Sequence, residues 1–88
     1  MNTVAHTNPN GETVQVNVGE HATIGKNVTI GPHSTIGSYS TIGSYSTIGE
    51  DVTIGQDATI GSHSTVGSYA NIDNNATVGW GSNIGPDA

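Results

Sequence analysis

The chain has 88 residues, enough for one domain, and with 32% hydrophobic residues and no Phe it lacks the material for a conventional globular core. A single Lys and no Arg against seven acidic residues leaves a net charge of −6, which repels phosphate and excludes nucleic acid and anionic membranes as partners. The absence of Cys removes disulfide and thiolate chemistry, and no apolar run is long enough for a leader or a membrane span. The expected location is therefore the cytoplasm by default, or outside the cell by a route that needs no visible signal. Residues 1–15 form an irregular N-terminal segment or capping coil. Within it Asn8-Pro9-Asn10-Gly11 is a turn signal, and Thr13-Val14-Gln15-Val16 reads as a strand.

Residues 16–88 repeat every six residues. Aliphatic side chains stand at Val18, Ile24, Ile30, Ile36, Ile42, Ile48, Ile54, Ile60, Val66, Ile72, Val78 and Ile84 without an insertion or deletion. Two residues before each lies a small or β-branched residue, from Val16 and Ala22 through Ser34, Ser40 and Ser46 to Ser82. Side chains alternate along a strand, so both of these point inward while the intervening Thr and the following Gly point outward. The two residues after that make a corner. A unit of six cannot bury its own aliphatic side chain, so units must coil and stack. Three units per turn give an all-β triangular solenoid of eighteen residues per coil and about four coils, with like positions about 4.8 Å apart. One face then carries the unbroken column Thr23, Thr41, Thr59 and Thr77. A second has Thr29, Thr47, Thr65 and Asn83, and the third has Asn17, Thr35, Thr53 and Asn71 together with Asp73, the one charge on a flat face.

This pattern resembles the hexapeptide-repeat left-handed parallel β-helix family over residues 16–88. The left hand is implied by the resemblance, since crossover rules by themselves favour the right. The family is best known for trimeric acyltransferases in which a His is the general base and protruding loops complete a site between subunits. This chain carries no such loops. Its His21, His33 and His63 occupy the second corner position on three different corners, and His6 lies in the irregular segment. The resemblance to the zinc-binding γ-class carbonic anhydrases is limited in the same way, because no two His share a corner on adjacent coils. Tyr39, Tyr45 and Tyr69 also fall on three separate corners and form no stripe of their own. Trp80, at a corner of the last coil, is a candidate interface anchor or local cap, and the three Tyr are candidate lateral contacts.

The expectation from these residues is a non-enzymatic structural solenoid that binds no metal or cofactor and has copies of itself as its partner. End-to-end association into a fibre follows from open strand edges and from the absence of a C-terminal cap in the repeat, which stops at Ile84-Gly85-Pro86-Asp87-Ala88. Two alternatives use the same fold. The Thr23–Thr77 column could bind ice, or the chain could be a minimal hexapeptide acyltransferase.

Overall fold

The computed structural model describes residues 2–88, and among them there is no helix. Two six-residue strands, β1 (Asn2–Thr7) and β2 (Thr13–Val18), come first. Two-residue strands then follow at every repeat: β3 (Thr23–Ile24), β4 (Thr29–Ile30), β5 (Thr35–Ile36), β6 (Thr41–Ile42), β7 (Thr47–Ile48) and β8 (Thr53–Ile54). The series continues with β9 (Thr59–Ile60), β10 (Thr65–Val66), β11 (Asn71–Ile72), β12 (Thr77–Val78) and β13 (Asn83–Ile84). Three sheets result. The first has the order β1-β2-β5-β8-β11, the second β3-β6-β9-β12 and the third β4-β7-β10-β13. From β2 onward every pairing is parallel and joins residues eighteen apart, such as Thr23 with Thr41 and Ile24 with Ile42. The chain is a parallel β-solenoid of about four turns.

The core is the inward column the repeat requires. Ile30, Ile36, Ile42, Ile48, Ile54, Ile60 and Val66 are fully buried, and Ile72 and Val78 nearly so. Val18, Ile24 and Ile84 belong to the first and last coils and are only partly buried, because a coil covers them from one side. The inward serines are buried without loss. The Ser34, Ser40, Ser46 and Ser64 hydroxyls donate to the carbonyls of Gly49, Gly55, Gly61 and Gly79 at 2.7–2.9 Å. Each replaces the water that a buried hydroxyl would otherwise lack.

Between coils the ladder is continuous. Thr41 N donates to Ala58 O at 2.9 Å, and Gly43 N to Ile60 O at 2.7 Å. Corner amides donate the other way, to the preceding coil, as Tyr45 N does to Lys26 O at 2.9 Å.

The N-terminal segment is a hairpin. β1 pairs antiparallel with β2, from Asn2 opposite Val18 to Thr7 opposite Thr13, and so covers the outer edge of the first sheet. Its turn is closed by Gly11 N to Asn8 O at 2.8 Å and Asn8 N to Glu12 O at 2.7 Å. The strand anticipated from Thr13 to Val16 extends to Val18, because the antiparallel partner holds both added residues. Stacking of unaltered chains end to end would have to displace this hairpin.

Candidate functional site

The corners hold every ring of the repeat. Each turns through one residue in the left-handed region, from Asp51 at φ 56° to Gly81 at φ 71°. Asn and Asp adopt this conformation readily, as at Asn27, Asp51, Asp57, Asn75 and Asp87. His21, His33 and His63 share this conformation, and Tyr39, Tyr45 and Tyr69 adopt it at greater steric cost. Rings at these positions extend into solvent beside the next coil.

That placement brings unlike rings together. On the corner between the second and third sheets, Tyr45 and His63 stack with centroids 5.2 Å apart and planes 3° from parallel. The Trp80 ring meets the other side of His63 at 5.0 Å and 60°, in an edge-on contact. On the corner between the first and second sheets, His21 stacks on Tyr39 at 5.1 Å. Like rings fall on separate corners, so these mixed columns emerge only when unlike rings are paired across coils. The signal was present: His21 and Tyr39, and likewise Tyr45 and His63, are eighteen residues apart. Trp80 follows His63 by seventeen, so it reaches in from the neighbouring corner position.

The Tyr45–His63–Trp80 column is the most developed chemical feature of the surface. His63 is exposed, with Tyr45 stacked on it and Trp80 in edge contact with it. Trp80 is 73% exposed, an arrangement that stabilises no core. Ser44 and Ser62 flank the column, and the Thr faces of two sheets rise on either side. His33 and Tyr69 stand on the corner between the third and first sheets with Asp51 and Asp87, and no ring stacks on either of them among the described residues. His6 lies elsewhere, in the hairpin, with Nε2 2.9 Å from Val28 O. The described residues enclose no cavity and bring no three His, Asp or Glu side chains together as metal ligands.

The Thr23, Thr41, Thr59 and Thr77 column lies in register along the second sheet, and all four residues are exposed. Thr35 and Asn17 on the first sheet and Thr29 on the third are half-buried, so the second sheet presents the most open hydroxyl array.

Residues 33–68 match the family described as bacterial transferase hexapeptide (six repeats). Over those residues the chain is similar to the hexapeptide-repeat family. No curated protein matches this hexapeptide solenoid in sequence. Among solved structures it is similar to serine acetyltransferase isoform 3 from Entamoeba histolytica, determined with cysteine, at 18% identity and a TM-score of 0.47. It is also similar to a mutant of perosamine N-acetyltransferase from Caulobacter crescentus, determined with CoA and GDP-perosamine, at 19% identity and a TM-score of 0.43. The likenesses cover 85% and 82% of this chain, which spans only 28% and 43% of the two acetyltransferase chains. The family match overturns the expectation of a non-enzymatic protein: the repeat is of the transferase type. That expectation rested on missing loops, and a repeat segment need not itself carry the loops that complete a site.

Proposed function

We propose that this β-helix is the repeat portion of an acyltransferase-type protein and works as an assembly of copies. The observation that carries the reading is the match of residues 33–68 to the bacterial transferase hexapeptide repeat. The open surface of the single chain supports assembly, since a reaction needing exclusion of water must take place against a second copy or a further segment. Within the chain His63 is the base to which the geometry gives most support. Its plane is set by Tyr45 and Trp80, and a general base works only when held in orientation. In the reaction, His63 takes the proton of an acceptor hydroxyl or amine as that atom attacks the thioester carbonyl of an acyl-coenzyme A. The carbon–sulfur bond breaks, the thiolate leaves, and it recovers the proton from His63.

The test is thiol release from acyl-coenzyme A with panels of hydroxyl and amine acceptors. The expected result is turnover that falls by about two orders of magnitude in His63→Ala and little in His33→Ala. No turnover with any acceptor, or turnover indifferent to His63, overturns the assignment.

A second reading is favoured by one feature, the in-register exposed Thr column of the second sheet. On that reading Thr23, Thr41, Thr59 and Thr77 bind ice, and a bulky Thr41→Tyr substitution abolishes thermal hysteresis. A solution without hysteresis, or hysteresis unchanged by Thr41→Tyr, removes it.

A further inference from the structure

The charges of the solenoid are unevenly shared among its three corners. Glu20 and Asp57 stand on the corner between the first and second sheets, with Asp73 at its edge. Glu50, Asp51 and Asp87 stand on the corner between the third and first, and Glu12 lies between β1 and β2. The corner between the second and third sheets has no acid. From the first coil to the fourth it reads Lys26-Asn27, Ser44-Tyr45, Ser62-His63 and Trp80-Gly81. It holds the one Lys of a chain without Arg, together with the Tyr45–His63–Trp80 rings. Lys26, Tyr45, His63 and Trp80 are all exposed. Tyr45 has coils on both sides and is still 57% exposed, because a corner ring points away from the axis.

A net charge of −6 sets copies of this chain against one another, and the acid-free corner is where that repulsion is weakest. Exposed Trp and Tyr are also the side chains that most often anchor an interface. The order along the corner selects a mode of pairing. Side by side and parallel, two copies would set Lys26 level with Lys26. An antiparallel pair, related by a two-fold axis midway between the second and third coils, matches the first coil of one copy to the fourth of the other. Lys26 and Trp80 both hold the first corner position, so each Lys26 ammonium then meets the Trp80 ring of the second copy as a cation–π pair. Tyr45 and His63 both hold the second corner position, and they meet in the same way, ring against ring. Tyr39 and Tyr69 are equally exposed but stand among the carboxylates of the other two corners. Coils repeat at about 4.8 Å, so the four rows span about 14 Å, and the contact belongs with the small, transient interfaces.

We propose that the corner between the second and third sheets docks a second copy of this chain antiparallel, with Lys26 against Trp80 and Tyr45 against His63. The proposal rests on the reading that copies assemble, and names the surface on which they meet. Sedimentation velocity over a concentration series tests it, with circular dichroism on every variant. The mass of the parent chain rises up to twofold and stops at two chains. Trp80→Lys, which sets Lys26 against a second ammonium, leaves the mass at one chain. Adding Lys26→Trp restores the rise, because the swap returns a cation and a ring to each pair. Tyr69→Asn, on an acidic corner, associates as the parent does. A parent that stays at one chain overturns both this proposal and the reading of an assembly. A parent that reaches three chains, a dimer that survives Trp80→Lys, one that the swap does not restore, or one lost in Tyr69→Asn overturns this proposal and leaves that reading standing. Should Trp80→Lys unfold, Lys26→Glu takes its place, because reversing an exposed charge leaves the rings where they are. It holds the mass at one chain, and a dimer that survives it overturns the proposal.

Discussion

A methyl group added at Gly61 would lie 2.5 Å from Trp80 N and 2.6 Å from Trp80 Cα on the next coil. The Gly of each Thr-(Ile/Val)-Gly triplet from Gly25 to Gly67 is thus required by the close approach of backbone to backbone where coils turn. Asp73 takes this position in the corner after β11, where no described residue stacks on it. Gly85 has nothing within 4 Å of the same added atom. Gly61→Ala is therefore expected to destabilise the fold by about 1–3 kcal/mol through overpacking of backbone that cannot yield. Gly85→Ala should be neutral within about 0.5 kcal/mol. Urea denaturation of the two variants beside the parent chain checks the contrast. At this scale the sequence supplied the inward column correctly, because a period of six with alternating faces leaves the aliphatics one place to go. It assigned Gly only an outward direction, and the neighbour that excludes a side chain comes from the next coil.

Corners are the elements in which local preference and tertiary contact compete. Left-handed backbone costs an ordinary residue about 1–2 kcal/mol, and a stacked ring pair returns about 0.5–1.5 kcal/mol. Tyr45 has both terms, since its ring stacks on His63. Tyr69 has the same backbone strain at φ 65° and no ring partner among the described residues. Tyr69→Asn is expected to raise stability by about 0.5–1 kcal/mol, because Asn fits this conformation better. Tyr45→Asn should leave stability unchanged or lower it. Thermal unfolding of the two variants separates them, and equal shifts would show that the stack contributes nothing. The corner positions themselves were legible from spacing. Their pairing was marked only by the eighteen-residue separation of unlike residues, because stacking depends on ring shape and proximity and takes no account of whether two residues are of the same type.

Across the whole molecule the two ends differ in kind. The repeat made the coil count, the three faces and the register readable, since each unit can bury its aliphatic only against its neighbours. The hairpin was readable only as an irregular or capping segment. Its docking depends on two side chains, His6 and Asn8, bonding to backbone twenty-two residues further on, and no periodicity encodes that. The family match over residues 33–68 is to the transferase type of repeat, and it replaces the expectation of a non-enzymatic protein.

Amide hydrogen exchange on residues 1–88, resolved residue by residue, tests the account of a stacked solenoid closed at its N-terminal end, whose last-coil amides have no backbone acceptor among the described residues. Ile30 N–H, bonded to the Asn8 side chain at 2.9 Å, should be as protected as the interior amides of Thr41 and Gly43. The amides of Thr77, Gly79, Asn83 and Gly85 should exchange orders of magnitude faster. An Ile30 amide as labile as that of Gly85, or last-coil amides as slow as that of Thr41, would contradict the stacking and the cap together.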